Sequence, residues 1–411
     1  MMPGTSAMQG STDIMLQKTD KPVPNSARVN LPHSVREFVE RRPMATLYQA
    51  PGRINLIGEH TDYNEGYVLP GAAHLHLTFA VEPSFAQDLR VRAGRYDEHV
   101  MVELEDPGIR MDHWSRYVAA VVHTANAHGL PLQGLEMVFD GDLPAGAGMS
   151  SSSALTCGLI YIMNHQFGWG QSTEQLIRLA QESEHRTGVR GGIMDQFAIF
   201  SSRPNEAILL DCRTMTTQPV PIPAEGPSWF VLDSGVHHNL VDSPYNQRRE
   251  ACERIVDLVR QNKPGITALR DVTEHDLMDI ASLAARDDLA KARYVIEENA
   301  RVLAMVAALT DRDWPEVGRL LSQSHHGLRH DYQVSCEELD FLVDSLAGMA
   351  GVYGARLMGA GFGGNVLCLA EQDCLDVIKR QLERAYQAQF GLTLKMYRIT
   401  LDDGIHIIDN Q

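Results

Sequence analysis

The densest cluster of chemically capable side chains follows a short apolar run. Residues 51–64 read Pro-Gly-Arg-Ile-Asn-Leu-Ile-Gly-Glu-His-Thr-Asp-Tyr-Asn. Arg53 stands among apolar neighbours, and past Gly58 come Glu59, His60, Asp62 and Tyr63. Turns are commonly built from Gly, Pro, Asn, Asp and Ser. Two carboxylates, an imidazole and a phenol instead form a directional hydrogen-bonding set suited to a polyhydroxylated ligand. The plain alternative is a solvated turn.

A second stretch reads Leu143-Pro-Ala-Gly-Ala-Gly-Met-Ser-Ser-Ser-Ser-Ala-Leu155. Its glycines, Gly146 and Gly148, let backbone approach a ligand, and Ser150, Ser151 and Ser152 stand where a helix should begin. The free amides and dipole of a helix N-terminus attract phosphate oxygens, and the hydroxyls add donors and a magnesium ligand. Gly/Ser runs also serve as flexible linkers, but the apolar helical pattern starting at Ala154 argues for phosphate binding. No Gly-Lys dipeptide occurs, so there is no Walker A loop, and HRD and DFG are absent too.

A third run, Gly359-Ala-Gly-Phe-Gly-Gly364, satisfies G-x-G-x-x-G in form only. A dinucleotide fold needs a helix directly after it, whereas Asn365-Val-Leu-Cys-Leu-Ala370 reads as a buried strand. That layout predicts a glycine turn laid against a substrate. Asp195, flanked by Ile193, Met194 and Phe197, is expected in a partly desolvated turn, as a helix cap or as a reactive carboxylate.

The first stretch resembles, nearly letter for letter, the signature of galactokinases in the GHMP small-molecule kinase superfamily. The second resembles the superfamily's phosphate loop, with Met149 in place of Leu and Ser153-Ala154 inverted. The third resembles its last motif, with Met358 and Ala360 where Thr and Gly are usual. Gly191-Gly-Ile-Met-Asp-Gln196 is similar to the segment carrying the catalytic carboxylate. The likeness extends through Leu210–Arg213, Tyr245–Glu250 and Ser324–Asp340, where His330 replaces an Asp, and covers roughly residues 32–411.

The resemblance implies phosphorylation of the anomeric hydroxyl of galactose by ATP. Its alternatives are kinase action on another sugar, such as arabinose or a galactose derivative, and a non-catalytic sugar- and ATP-responsive regulator. It implies Asp195 and Arg53 as the catalytic pair, and Glu59, His60, Asp62, Gly192 and Tyr245 as the sugar site. Gly146, Gly148, Ser150, Ser151, Ser152 and Trp114 would meet ATP, and Ser152 with Glu184 would hold Mg2+. Trp114 reads equally well as a half-buried core aromatic. The segment Glu184–Gly191 is one residue shorter than usual. The pairs His237–His238 and His325–His326 are not expected to ligate metal, because adjacent side chains diverge.

These motifs need elements to hold them. Helices are expected over Pro32–Val39, Trp114–His128, from the serine run near 150, and over Thr173–His185. Strands are expected at Thr46–Ala50, His76–Val81, Leu135–Phe139, Ala207–Asp211 and Trp229–Asp233. Further helices follow at Tyr245–Gln261, Leu289–Ala308, Trp314–His325, Glu337–Met349 and Cys374–Phe390. Strands at Gly354–Met358, Asn365–Ala370 and Lys395–Thr400 complete the set. Strands and helices mix without strict alternation, which predicts an α+β fold. The resemblance makes it a two-domain GHMP-kinase-like fold of mixed sheets and helices, its active site in the cleft between domains.

A length of 411 residues favours two domains. A Pro-rich stretch near 219–227 divides the chain into residues 31–218 and 219–411, with residues 1–30 expected to be a disordered leader without a signal-peptide core. A formal charge of −17 disfavours nucleic-acid and anionic-membrane partners. Six cysteines without CxxC spacing predict reduced thiols in a cytoplasmic protein. No apolar run approaches the roughly 18–20 residues that span a bilayer. A monomer or weak oligomer serving small-molecule sugar and ATP is expected.

Overall fold

The chain enters its first sheet through α1 (His33–Arg41), which buries Val35, Phe38 and Val39 against it. β1 (Thr46–Asn55) is buried along almost its whole length, so Arg53 and Asn55 at its far end are polar groups within the interior. A computed structural model of the protein describes residues 30–408, apart from 112, 147 and 237–243. After β1 come β2 (Tyr67–Val68), β3 (Pro70–Ser84), β4 (Asp88–Ala93), β5 (Glu98–Glu103), α2 (Ser115–Ala127) and β6 (Gly134–Gly141). Helices α3 (Ser151–Phe167), α4 (Thr173–His185) and α5 (Met194–Ser201) precede β7 (Glu206–Asp211) and β8 (Thr216–Pro221).

The remainder is β9 (Ser228–Asp233), α6 (Tyr245–Asn262), α7 (Glu274–Asp279), α8 (Arg286–Asp311), α9 (Trp314–His330) and α10 (Glu337–Leu346). It ends with β10 (Val352–Met358), β11 (Asn365–Ala370), α11 (Leu375–Phe390), β12 (Lys395–Ile399) and β13 (His406–Ile407). Among the described residues the strands form three sheets, ordered β13-β1-β3-β6-β4-β5, β10-β11-β9-β12 and β2-β7-β8. Their pairings are antiparallel apart from β4 with β6, giving the α+β architecture expected from the pattern.

Local sequence explains the elements beside the site. α4 starts in a capping box, with Ser172 and Gln175 exchanging hydrogen bonds, which satisfies two otherwise orphaned donors. α3 ends at Gly168 in the left-handed region, where glycine is free of the Cβ penalty. Residues Leu155, Leu159 and Ile160 of α3 enter the larger core with Ile54 and Phe79. That core continues through Val302, Leu321 and Met358, so the two halves of the chain meet across packed apolar surface.

Some elements depart from the sequence reading. The hairpin β4–β5 was not expected, because its short alternating runs carry charges on the open face. β8 contains Pro219 and Pro221 and is tolerated as the edge of its sheet. Residue 219, the boundary expected from the Pro-rich stretch, lies inside a strand, and β13 returns to pair with β1. Asp195 stands in the first turn of α5, whose N-cap is Ile193, so it is not a helix cap. The leader up to residue 29, and His237–His238, lie outside the described residues.

Candidate active site

β1 brings Arg53 to the junction of the two halves, and there Arg53 meets two segments distant in sequence. Its Nε donates to Asp195 Oδ1 at 2.7 Å and its Nη1 to the Gly148 carbonyl at 2.6 Å. The Arg53 amide also donates to the Met149 carbonyl. The remaining Asp195 oxygen, Oδ2, accepts from Ser150 Oγ at 2.5 Å and more weakly from Ser153 Oγ at 3.4 Å. Burial alone would lower the Arg53 pKa, but Asp195 and Glu59 outweigh it and hold the guanidinium charged.

The loop before α3 has left-handed residues at Gly146, Gly148 and Ser150, with φ of 73°, 62° and 55°. Left-handed residues of this kind favour anion-binding concavities of backbone N–H groups. Ser150 adopts this conformation without glycine's freedom, and the hydrogen bond to Asp195 holds it there.

Around this pair lies a cavity of about 470 Å³, and every residue to which the resemblance gives a role lines it, whereas Tyr63 of the polar cluster does not. Its volume is that of an ordinary small-molecule site. At one end, Asp62 Oδ1 accepts from the Tyr63 amide, while its carboxylate presses against Gly192. Burial, reinforced by Asp195, raises the Asp62 pKa to about 6. Tyr245 packs against His60 at 5.5 Å between ring centroids, and burial pushes its phenol up.

His60 and Glu59 differ from free sugar-binding groups. His60 Nε2 donates to the Ala360 carbonyl at 3.2 Å, so Nδ1 accepts from Tyr63 Oη at 2.8 Å. Tyr63 in turn meets Tyr332 Oη at 2.7 Å. Burial pulls the His60 pKa down to about 3, and the ring stays neutral. With both nitrogens engaged, His60 is a wall and a brace for the third glycine turn. Glu59 Oε1 accepts from Arg356 Nη2 at 3.0 Å and from the Gly359 amide at 2.9 Å.

Glu184 projects from α4 beside Asp195. Gln196 Nε2 donates to its Oε2 at 3.0 Å, while the buried Oε1 has no hydrogen-bond partner. Burial, with Asp195 adding repulsion, raises its pKa to about 8. At the other end, Trp114 is half-buried, and its indole N–H donates to Glu98 at 2.6 Å. Its ring meets Phe139 edge-on, centroids 5.4 Å apart. Trp114 thus packs on the core and also lines the cavity.

Several contributors were not singled out from sequence. Ser153 reaches Asp195, Tyr332 backs His60 through Tyr63, Gln196 holds Glu184, and Glu98 pins Trp114. Arg356 had a usable signal, since it is a lone cation in the apolar strand Gly354–Met358, as Arg53 is in β1. Glu98 had none, being one of many charges on an exposed hairpin. His325 and His326 do diverge: His325 turns toward Asp340 and His326 stacks on His330.

Comparison with known proteins decides the family. Residues 116–203 match the GHMP kinases N terminal domain, residues 305–388 the GHMP kinases C terminal domain, and residues 36–83 the galactokinase galactose-binding signature. The chain is 38% identical to a galactokinase of Thermotoga neapolitana over 361 residues, covering 88% of this chain and 99% of the relative. The chain belongs to the galactokinase family. A galactokinase of Roseiflexus sp. is 38% identical, covering 89% and 93% of the two chains. The crystal structure of Lactococcus lactis galactokinase complexed with galactose superposes with a TM-score of 0.86 at 27% identity, covering 91% and 99%. Methanococcus jannaschii mevalonate kinase, at 15% identity, a TM-score of 0.61 and coverage of 88% and 100%, shares the fold. In this chain the ion pair links Arg53, inside the segment that matches the galactose-binding signature, to Asp195, inside the segment that matches the N-terminal kinase domain. Among the described residues, no helix is long and apolar enough to cross a membrane.

Proposed function

We propose that the protein transfers the γ-phosphoryl group of ATP to the anomeric hydroxyl of galactose, releasing ADP and galactose 1-phosphate. The observation that carries this reading is the Arg53–Asp195 pair, held against the left-handed loop at 146–150 within the cavity. Phosphoryl transfer depends mostly on positioning and on stabilising charge. The loop amides and the serines of α3 hold the phosphates. Trp114 and Phe139 receive the base, Asp62, Glu59 and Tyr245 hold the sugar hydroxyls, and Gly192 leaves room for the Asp62 carboxylate.

Asp195 accepts the hydrogen bond of the anomeric hydroxyl. Both of its oxygens already take hydrogen bonds, and it receives the proton as the new P–O bond forms and the bond to the ADP oxygen breaks. Arg53 keeps the carboxylate oriented and offsets charge on the phosphoryl oxygens. The residues also fit Mg2+. The unpartnered Oε1 of buried Glu184 and the hydroxyl of Ser152 in the cavity would hold it, with phosphate oxygens and water filling the shell. A bound Mg2+ supplies charge neutralisation on the phosphates. The free cysteines suit a reducing cytoplasm. A coupled ADP-release assay over a sugar panel tests the reading: galactose is expected as the preferred acceptor, and absence of turnover on galactose overturns it.

A further inference from the structure

Arg356 lies on β10, has no exposed surface and does not line the cavity. Its guanidinium donates to the carbonyls of Leu56, Asn55 and Leu357 and to Glu59 Oε1. Three of those partners belong to the first motif and one to the strand that leads into the glycine turn. Leu56 and Asn55 are otherwise the end of β1 and its exit, where carbonyls would lack partners in the interior.

The consequence falls on Glu59. Its Oε1 takes two donors, Arg356 Nη2 and the Gly359 amide, and no donor among the described residues reaches Oε2. Because Glu59 lines the cavity, the orientation set by Arg356 decides which oxygen a ligand meets. A planar guanidinium with donors in fixed directions enforces such an orientation, and an ammonium does not. We infer that Arg356 is a positioning residue for sugar selection: by binding Oε1 and the β1 exit, it presents Glu59 Oε2 to one sugar hydroxyl and ties that contact to the glycine turn at 359–364. This rests on the galactokinase reading above.

The experiment compares the unmodified protein with Glu59→Gln, Arg356→Met, Arg356→Lys and the double variant Glu59→Gln/Arg356→Met. Each is assayed on galactose and on the set of monodeoxygalactoses, with KM for ATP and sugar binding by calorimetry. Glu59→Gln should identify the hydroxyl concerned, as the deoxy sugar for which discrimination falls most. Arg356→Met should lose at least tenfold of discrimination against that same sugar, leave KM for ATP within about twofold, and be no worse in the double variant. Arg356→Lys, the milder change, is expected to fold and to lose at least threefold. Equal losses on every sugar, or full discrimination in Arg356→Lys, would overturn the inference and leave the galactokinase reading standing. An unmodified protein that neither binds nor phosphorylates galactose would overturn both.

Discussion

The carboxylate of Asp62 occupies the space where a side chain at Gly192 would begin. A Cβ on Gly192 would lie 2.0 Å from Asp62 Oδ2 and 2.7 Å from its Cβ. Asp62 is short and tethered through Oδ1 to the Tyr63 amide, so it cannot yield without leaving its place. Gly192→Ala is therefore expected to raise KM for galactose tenfold or more while KM for ATP stays within about twofold. Steady-state kinetics with each substrate varied separately checks this, and an unchanged KM for the sugar would reject the packing argument.

Asp195 should act on the chemical step. Asp195→Asn preserves shape but removes the negative charge facing Arg53. Turnover is expected to fall by roughly 10²–10⁴, the usual size of such a contribution. Binding of galactose and ADP, measured by calorimetry, should change only severalfold. If binding collapses along with turnover, the residue's place is structural.

Ser150 separates backbone strain from chemistry. Both Ser150→Gly and Ser150→Ala remove the hydroxyl that meets Asp195, and both should lower turnover to a similar extent. Only alanine keeps a Cβ at φ 55°, which costs about 1–2 kcal/mol in the left-handed region. Thermal melts should therefore place the alanine variant below the glycine variant by a few degrees.

Glu184 predicts a dependence on pH. Its carboxyl keeps its proton up to about 8 in the folded protein, against an ordinary value of 4.5. The unfolded chain therefore binds fewer protons between these values. The associated stability is fully present below pH 4.5 and is lost as pH rises through 8. Glu184→Gln carries no proton to lose. The melting temperature of the variant relative to the unmodified protein, measured without nucleotide or metal, should rise from about pH 5 to about pH 9. A flat difference would show that Glu184 is already ionised.

Much of the architecture was legible because it is local. The apolar run of α3, the capping box of α4 and the buried runs of β9 and β11 specify their own elements, and the observed bounds lie within a few residues of the expected ones. What escaped were elements held by their neighbours. β8 keeps two prolines because it lies on a sheet edge, and α5 is short and follows two glycines.

The same division runs through the site. By itself, the sequence determined which chemical groups were present and their local setting: a phosphate-type loop at 146–152, a polar cluster at 59–63 and a carboxylate at Asp195. Tertiary structure alone decided what each group does with its hydrogen bonds. Arg53 meets Asp195 across 142 residues, and Arg356 meets Glu59 across 297. His60, which the resemblance assigns to the sugar site, spends both nitrogens on Tyr63 and Ala360. The reason is physical. A helix or turn is specified by neighbours along the chain, whereas a buried polar group must find its partner among whatever the completed fold brings within reach.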